Sequence, residues 1–452
     1  MDRKIDNQKS QTKLTGYKMT ELGPLPQEWE VVRLGEVVKN IVSGDWGSSE
    51  KSNDNFIKCY VLRGTDFKKC EDKIINDVPI RFVLKNSLEK RRLKAGDILI
   101  ELSGGGPGQP TGRIFFVTED FIKKIGENVI FSNFVKKLIA DESIILSEFF
   151  YRYWQFLYQK GKTLVYEKRT TGIRNFKYND FLKQENILIP QLEEQRKIAA
   201  ILSTVQKAIE TERTLIERTK ELKKAMMHKL FTEGIGWLSG AETSQKQTEI
   251  GPIPESWEVV RLGEVAEQIK VNYQPSSNGF RNYVGLEHID SGCPFLNKYG
   301  KEFEVKSTKY FFKKGQVLYG KLRPYLDKAV IASFDGICST DIIVLEGKIV
   351  ANLFLVYLLH SELFLKHAIS TTSGVQHPRT SWAILKKLKI AIPQKDEQQK
   401  IADILSTIDR KIEHHTTKKQ KLEELFRTLL HELMTARVRV DKINLDFLKK
   451  EE

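Results

Sequence analysis

The chain has 452 residues, enough for two or three domains with separate hydrophobic cores. Its 73 lysines and arginines exceed its 59 aspartates and glutamates, which gives a formal net charge of +14. This imbalance favours a polyanionic partner, nucleic acid first and an anionic membrane surface second, although charge alone leaves a merely lysine-rich surface open.

The opening residues, 1–20, are polar and contain no apolar core, so they predict an N-terminal extension and no signal peptide. The longest apolar runs, such as "LFLVYLL" at 353–359, are too short to span a bilayer. We therefore expect a cytoplasmic chain. No cysteine pair or neighbouring histidine has metal-ligand spacing, so we expect the cysteines to be reduced and buried. The cysteines are Cys59, Cys70, Cys293 and Cys338.

The phrase "GPLPQEWEVVRLGEV" at 23–37 returns as "GPIPESWEVVRLGEV" at 251–265, with twelve of fifteen positions identical. Such a repeat indicates a duplicated architecture. We expect Trp29 to anchor the first copy, and "VVRL" is predicted to begin the first strand of a module. Because nearly identical copies cannot distinguish two different ligands, we interpret the phrase as a hinge that seats each module on a shared frame.

A second repeated block starts with "NILIPQLEEQRKIAAILS" at 186 and with "KIAIPQKDEQQKIADILS" at 389. Strand-like runs end at Pro190 and Pro393, and acidic pairs follow in the first helical turn, where the helix dipole favours negative charge. Each block is predicted to be a long helix. The segments between the repeated blocks share little identity, so the ends of each half stayed alike while the middles diverged.

Both predicted helices carry a heptad seam that is interrupted by polar residues at its centre. A helix of ~40 residues is ~60 Å long and cannot bury such a stripe alone. We expect the two helices to pair as a coiled coil, most simply antiparallel, although the sequence leaves the direction open. The predicted coiled-coil and subunit-interface positions are Ile198, Leu202, Val205, Ile209, Ile216, Met226, Leu230, Ile401, Leu405, Ile408, Ile412, Leu422, Phe426, Leu429 and Leu433.

These signals divide the chain into alternating modules and helices, with glycines marking the linker. The predicted segments are an N-terminal extension (1–20), a first module (21–190), a central helix (191–232), a linker (233–248), a second module (249–393), a C-terminal helix (394–436) and a tail (437–452).

The modules have a mixed α/β pattern. Strands are predicted over 95–102, 130–140, 315–322 and 338–348, and amphipathic helices over 147–161 and 351–369. The aromatic stripes of the helices are assigned to the core. Asp97 and Glu101, on the first of these strands, are predicted to be ordinary surface charges.

A glycine-rich loop, "SGGGPGQPTGR" at 103–113, lacks the pattern of a nucleotide-binding loop. Two interpretations stay open: a flexible loop, or one that brings backbone N–H groups, Gln109 and Arg113 to a DNA phosphate. The matching "GKLRPYLDK" at 320–328 combines basic and aromatic side chains, which suits nucleic acid. Its candidate DNA-binding residues are Lys321, Arg323 and Tyr325.

Two further loop pairs offer groups that can bind base edges. In "KRTTGIRNFKYNDFL" at 168–182 and "STTSGVQHPRTSWAIL" at 370–385, arginine can pair with guanine, and asparagine or glutamine with adenine. The loops 62–69 and 285–292 form a third pair, in which the second copy is better explained as a strand end with a structural histidine. The candidates are Arg63, Thr65, Lys68, Arg174, Asn175, Lys177, Tyr178, Gln376, His377, Arg379 and Thr380.

Catalytic patterns are missing from the sequence. There is no N/D-P-P-F/Y methyltransferase motif, no G-x-G-x-x-G after a strand and no metal-ligand cluster. We therefore predict a binding protein with no catalytic residue, no metal and no cofactor of its own.

The paired phrases "PLPQEWEVVRLGEV" and "PIPESWEVVRLGEV", with "IPQLEEQRKIAAIL" and "IPQKDEQQKIADIL", resemble the specificity subunits of type I restriction–modification systems. The P-x-x-x-E-Q pattern falls at Pro190–Gln195 and Pro393–Gln398. The segments "TTSGVQHPRTS" and "GICSTDIIVL" are similar as well. The resemblance runs from about residue 20 to about residue 435.

The resemblance implies two α/β target recognition domains, each reading one half of a bipartite, asymmetric DNA site. They are separated by two long conserved helices that form an antiparallel coiled coil, as a pseudo-twofold internal repeat, and set the gap between the half-sites. It also implies two adenine methyltransferase subunits and two motor-nuclease subunits as partners, which would hold S-adenosylmethionine, ATP and Mg. The loops of the two modules do not match, so contacts cannot be copied between them. A coiled-coil scaffold whose α/β domains bind protein or RNA is the alternative.

Overall fold

The computed structural model describes residues 16–20, 23–71, 75–104, 109–170, 173–239, 244–374 and 376–440. The chain divides into a first unit, Met1–Thr211 with Lys419–Glu452, and a second unit, Glu212–Lys418. Each unit contains one α/β module and a part of both long helices.

In the first unit, short strands and helices alternate before the first long helix, which continues into the second unit. The elements are β1 (Tyr17–Thr20), β2 (Gly23–Pro26), β3 (Glu30–Arg33), β4 (Val38–Ser43), β5 (Phe56–Leu62), α1 (Phe67–Glu71), β6 (Ile80–Leu84), α2 (Lys85–Arg91), β7 (Ile98–Glu101), β8 (Ser103–Gly104), β9 (Ile114–Phe116), α3 (Glu119–Ile125), β10 (Val129–Phe131), β11 (Val135–Ala140), α4 (Ser147–Gln159), β12 (Glu167–Thr170), β13 (Ile173–Phe176), α5 (Tyr178–Gln184), β14 (Asn186–Ile189) and α6 (Leu192–Thr232).

The second unit follows a similar order and ends in the second long helix, which returns to the first unit. The elements are β15 (Gln245–Thr248), β16 (Gly251–Pro254), β17 (Glu258–Arg261), α7 (Leu262–Val265), β18 (Ala266–Ile269), β19 (Val271–Tyr273), β20 (Asn282–Val284), β21 (Gly300–Lys301), β22 (Lys309–Phe312), β23 (Val317–Gly320), β24 (Ala329–Ile331), β25 (Gly336–Cys338), β26 (Ile342–Gly347), α8 (Asn352–Leu359), α9 (Glu362–Ser370), α10 (Trp382–Leu385), β27 (Lys389–Ile392) and α11 (Lys395–Met434).

Three sheet patterns recur in both units. The hairpin β1–β2 corresponds to β15–β16, and the antiparallel pair β3–β14 corresponds to β17–β27. An antiparallel sheet in the order β4-β11-β7-β9 corresponds to β18-β26-β23-β24. The duplicated ends of the sequence therefore build the hairpin and the β3–β14 pair twice, as the repeat predicts, and the four-stranded sheet recurs between them although its strands share little identity.

The remaining sheets differ between the units. The first unit has β10-β5-β6, with β10 parallel to β5, and β12-β13-β8. The second unit has β19-β22-β25-β20-β21. This difference falls in the middles of the modules, where the two halves of the sequence share little identity.

Several predicted elements are divided in the structure. The strand predicted over 130–140 is two strands, β10 and β11, and the strand predicted over 338–348 is β25 and β26. The helix predicted over 351–369 breaks at His360 and Ser361, where Ser361 Oγ accepts a hydrogen bond from the Phe364 N–H and so caps a new helix.

The segments predicted as a linker and a tail also carry ordered structure. Strand β15 lies within the predicted linker at 233–248. After α11, which ends at Met434, Ala436 and Val440 are buried in the core of the first unit. The predicted tail, 437–452, therefore contributes to packing at its start, and residues 441–452 lie outside the described residues.

The two long helices run antiparallel within each unit. In the first unit, the start of α6 and the end of α11 share one core, which contains Ile198 and Leu433. In the second unit, Lys223 near the end of α6 pairs with Asp409 in the first half of α11, with Nζ and Oδ1 2.7 Å apart. These contacts give the direction that the sequence leaves open.

Most of the predicted seam positions are buried. The buried ones are Ile198, Leu202, Ile209, Ile216, Leu230, Ile401, Leu405, Ile408, Phe426 and Leu433, and the half-buried ones are Val205, Met226, Ile412, Leu422 and Leu429. The polar residues at the centre are matched: Glu212 of α6 accepts from His415 Nδ1 at 2.7 Å and pairs with Lys418 Nζ at 2.6 Å. Matching polar groups in a seam specify the register of the two helices.

Within the described residues, no single helix is long and apolar enough to cross a membrane; only the bent pair α8 and α9, at 59° to each other, meets that test, by length and composition.

Candidate nucleic-acid interface

The repeated opening phrase contacts the start of a long helix in each unit. The indole N–H of Trp29, which is fully buried, donates to Glu194 Oε2 at 3.0 Å. In the second unit, Trp257 donates to Glu397 Oε2, also at 3.0 Å. The acidic pairs that the sequence assigns to the helix dipole thus also supply a carboxylate that binds the tryptophan. The predicted Trp29 anchor is present, with the helix as its partner.

The glutamine of the P-x-x-x-E-Q pattern closes the same turn. Gln195 Nε2 donates to the carbonyl of Pro190 at 2.9 Å, and Gln398 Nε2 donates to the carbonyl of Pro393 at 3.0 Å. Both glutamines are buried. A buried carbonyl at the entry of the helix is thereby satisfied, which explains why the proline, glutamate and glutamine recur together. We call this Trp–Glu–Gln arrangement the seat of each module.

Three candidate loops converge in the first module. Strand β8, which opens the glycine-rich loop, pairs with β13 of the 168–182 loop, with Ser103 opposite Asn175. The Ser103 hydroxyl donates to Asn175 Oδ1 at 2.5 Å. The 3₁₀ turn Gly64–Asp66, from the 62–69 loop, lies against the side chain of Glu101. We call this surface the first loop cluster. Residues 105–108 of the glycine-rich loop and residues 171 and 172 lie outside the described residues.

A buried ion pair organises the first loop cluster. Glu101 is fully buried, and its Oε2 accepts from Arg113 Nε at 2.8 Å, with a second bond between Oε1 and Nη2. The hydrogen bond to Glu101 raises the pKa of Arg113. The prediction of Glu101 as an ordinary surface charge is therefore wrong. Asp97 also has a partner, Lys137 Nζ at 3.1 Å. Strand alternation gives the face of a residue but not its depth.

Other predicted contacts in the first module are divided between internal pairs and the surface. Arg63 forms a bidentate pair with the buried Asp66, at 2.8 and 2.9 Å. Arg174 lies 3.7 Å from Glu167, a buried carboxylate that also accepts from the Thr111 N–H. Tyr178 is half-buried, and the exposed candidates are Thr65, Lys68, Gln109 and Lys177.

Three loops also converge in the second module, where they form the second loop cluster. Backbone hydrogen bonds join Arg323 N–H to the Pro378 carbonyl at 2.8 Å and Thr380 N–H to the Lys321 carbonyl at 3.1 Å. The Gly292 N–H donates to the carbonyl of Asp327 at 2.8 Å, which attaches the third loop, 285–292. In each module, the structure thus brings together the three loops that correspond to those of the other module.

The predicted side chains of the second loop cluster are mostly exposed. Arg379 is half exposed and its Nε donates to Asp341 Oδ1 at 3.1 Å. Lys321 is half-buried, and Thr380 is buried, so its hydroxyl does not reach the surface in this conformation. The exposed candidates are Arg323, Tyr325, Gln376, His377 and Arg379.

The 320–328 loop is held in an unusual backbone conformation. Arg323 and Asp327 have φ of 53° and 49°, in the left-handed region that non-glycine residues seldom adopt. Asp327 Oδ1 lies 2.6 Å from Nδ1 of the buried His360, whose Nε2 lies 2.9 Å from the Ala329 carbonyl. The break between α8 and α9 thus places a histidine that fixes this loop.

One exposed feature of the second module was not predicted from the sequence. Phe280 is 82% exposed on the loop before β20. The buried Glu302 carboxylate holds this loop by accepting from the Ser276 N–H at 3.0 Å and the Arg281 N–H at 3.1 Å. The Ser276 hydrogen bond is the main cause that lowers the pKa of Glu302. A phenylalanine inside the turn-forming "SSNGFRN" is the signal that marks this loop.

Within the described residues, no group of three or more histidine, cysteine or acidic side chains is arranged to hold a metal ion. Cys59, Cys70 and Cys338 are buried, as predicted, whereas Cys293 is only half-buried. Burial raises the pKa of the Cys59 thiol to about 11 and of the Cys70 thiol to about 12.

Comparison with known proteins gives one consistent result. A family model described as the type I restriction modification DNA specificity domain matches residues 26–221 and 254–424. The chain is 28% identical over 436 residues to the type I restriction enzyme MjaVIII specificity subunit of Methanocaldococcus jannaschii, covering 93% of this chain and 95% of that protein. It is 23% identical to the EcoDI specificity subunit of Escherichia coli, covering 84% of this chain and 81% of the relative.

A solved structure supports the fold. The S subunit of a type I restriction–modification system from M. genitalium superposes with a TM-score of 0.56, at 16% sequence identity. The alignment covers 90% of this chain and 96% of that one.

Proposed function

The chain belongs to the family of type I restriction–modification DNA specificity proteins, and from that premise we propose that it binds a bipartite, asymmetric double-stranded DNA site. Each module reads one half-site. The observation that carries the proposal is that each module combines three converging loops of different sequence with the same kind of seat. A shared seat with different loops is what two different half-sites require.

The loop clusters supply the two kinds of contact that DNA recognition needs. Exposed lysines and backbone N–H groups contact phosphates, which provides affinity that falls with salt. Arg379 and Gln376 of the second loop cluster are exposed. In the major groove, the arginine side chain can pair with guanine and the glutamine side chain with adenine. The carboxylate of Asp341 orients the guanidinium of Arg379 before DNA is present.

We further propose that catalysis lies in partner subunits. An adenine methyltransferase and a motor-nuclease bind the chain, and they hold S-adenosylmethionine, ATP and Mg. Two copies of each partner match the internal repeat. The complex acts in the cytoplasm, and the chain itself directs the partners to the site.

Selection from random duplex DNA tests the proposal. The full chain is purified with the methyltransferase of its own system and used to enrich bound duplexes at two salt concentrations. We expect two short sequences separated by a gap of constant length. Nonspecific binding should weaken steeply with salt, while the selected duplex is retained.

Equal binding of selected and scrambled duplexes at both salt concentrations would contradict the proposal. That result would favour the alternative, a coiled-coil scaffold whose α/β domains bind protein or RNA. A selected site with a single half would contradict the assignment of one half-site to each module.

A further inference from the structure

A buried polar network crosses the helix pair in the second unit. Lys223 Nζ lies 2.7 Å from Asp409 Oδ1, and the side chains are 10% and 8% exposed. The hydroxyl of Tyr357, from α8, donates to Asp409 Oδ2 at 2.8 Å. Lys223 occupies a seam position that the heptad pattern would give to an apolar residue.

The same lysine reaches the second loop cluster. Lys223 Nζ donates to the backbone carbonyl of Gly292 at 2.8 Å. Gly292 in turn donates its N–H to the carbonyl of Asp327, in the 320–328 loop. One ammonium group therefore connects the two long helices, the module helix α8 and two of the three loops.

The network is costly unless each member is satisfied. Removing two charges from water carries a desolvation penalty that the ion pair offsets only with good geometry and further hydrogen bonds. Tyr357 and Gly292 supply those bonds, and burial raises the pKa of Tyr357, so it stays a neutral donor. A plain apolar pair would hold the helices together without this penalty, so the polar network points to a role in positioning.

At the equivalent position, the first unit has an aromatic residue in place of the lysine and an uncharged amide in place of the aspartate. Phe426 stands at the seam position that corresponds to Lys223, and Gln206 at the position that corresponds to Asp409. Phe426 is buried in the core, with the guanidinium of Arg152, from α4, 5.5 Å from its ring centre. The helix pairing therefore does not itself demand an ion pair at this place.

We propose that Lys223 is a positioning residue for DNA recognition by the second module: through the Gly292 carbonyl it holds loop 285–292, and with it loop 320–328, in the orientation that reads the second half-site. The inference rests on the proposed function. Lys223 itself contacts no DNA and acts through the loops.

The test compares half-site discrimination in full-length variants, each in complex with the methyltransferase. Lys223→Met/Asp409→Leu replaces the ion pair by apolar side chains, which keeps the helices paired but releases the Gly292 carbonyl. We expect discrimination against a mismatch in the second half-site to fall about tenfold, while discrimination in the first half-site stays within about twofold. Lys223→Met/Asp409→Asn, which leaves no buried charge and keeps an acceptor for the Tyr357 hydroxyl, is a second variant with the same expected result should the first double variant fail to fold.

Two controls separate positioning from general damage. Tyr357→Phe removes a partner of Asp409 but leaves the Lys223–Gly292 bond, so it should keep full discrimination. Lys220→Met removes an exposed lysine one turn away, which pairs only with Glu217 at 3.4 Å among the described residues, and should change nothing. Equal losses at both half-sites, or unchanged discrimination in a folded Lys223 variant, would overturn the proposal.

Amide hydrogen exchange without DNA keeps the two proposals distinguishable. In the Lys223 variants, the amides of loop 285–292 should exchange faster than in the wild type, while those of the seat around Trp257 should not change. If the wild-type complex shows no bipartite preference, the proposed function fails whatever the exchange result. If the wild-type complex shows a bipartite preference and the Lys223 variants do not change the exchange of loop 285–292, only the positioning role fails.

Discussion

The arginine at the centre of the first loop cluster differs in its environment from the arginine of the second. Arg113 is 15% exposed and paired with a fully buried glutamate, whereas Arg379 is 46% exposed and paired with a partly exposed aspartate. The seats of the two modules share the Trp–Glu hydrogen bond of 3.0 Å and the glutamine bond to the proline carbonyl. Each seat binds the start of a long helix, and the two helix starts are similar in sequence, so the two seats are similar. The loops do not bind the helix start, so they can differ between the modules.

The largest expected effect separates these two arginines. Arg113→Met leaves the Glu101 carboxylate buried without its partner, and we expect the free energy of unfolding of the first unit to fall by about 3–5 kcal/mol. Arg379→Met should cost at most about 1 kcal/mol, because the pair is exposed to solvent. Chemical denaturation of the full chain measures both. Equal losses of unfolding free energy in the two variants would show that burial of the ion pair does not determine its contribution to stability.

The two seats are expected to contribute equally to stability. Trp29→Phe and Trp257→Phe each remove a hydrogen bond to a carboxylate, and each should cost about 1.5–3 kcal/mol of stability. Trp237→Phe is the control, since its indole N–H has no hydrogen-bond partner within the described chain. That variant should cost less than either seat variant in the same denaturation experiment. A large difference between Trp29→Phe and Trp257→Phe would mean that the two seats are not equivalent.

The two loop clusters are expected to determine base preference in different half-sites. Arg379→Ala should relax base preference at one position of the second half-site, by about 1–3 kcal/mol, and leave the first half-site unchanged. Selection from random DNA with the variant complex measures the preference at every position. A Lys366→Ala variant, whose lysine is exposed and pairs with Glu362, is the matched loss of a positive charge. Relaxed preference in both half-sites would contradict the assignment of one half-site to each module.

The two long helices and the repeated ends of the modules could be predicted from the sequence, because local residue patterns determine them. The heptad seam and the proline before each helix predict α6 and α11 to within a few residues. The repeat predicts equivalent modules, but the prediction that "VVRL" begins the first strand is wrong, because the proline-containing β2 and β16 precede β3 and β17. The direction of the helix pair required the matched contacts Lys223–Asp409 and Glu212–His415, which join residues far apart in sequence.

The loops were less predictable, because their side chains find partners across the fold. Glu101 belongs to a strand whose face the alternation gives, but its depth depends on Arg113, beyond the glycine-rich loop. His360 ends α8 and fixes the 320–328 loop through Asp327. Ser361, followed by an acidic residue in the first turn, is a helix-start signal that was not used in predicting one helix over 351–369. Recurrence of the loops in both halves marked them as candidates, but their convergence within each module was not predicted from the sequence.

The smallest expected effect concerns the centre of the seam, where equivalent positions of the two helices carry Glu212 and His415 and meet each other. The hydrogen bond from Lys418, with that from His415, lowers the pKa of Glu212 below its ordinary value of 4.5 despite burial. A carboxylate with a lowered pKa stabilises the folded state above the unfolded value, and this contribution is lost as pH falls through the folded pKa. The stability of the wild type should therefore decline below about pH 4.5 more steeply than that of Glu212→Gln, which carries no titrating group there. Parallel acid limbs in denaturation experiments would show that Glu212 makes no net electrostatic contribution. In that case, the polar centre of the seam would set register by shape and hydrogen bonding alone.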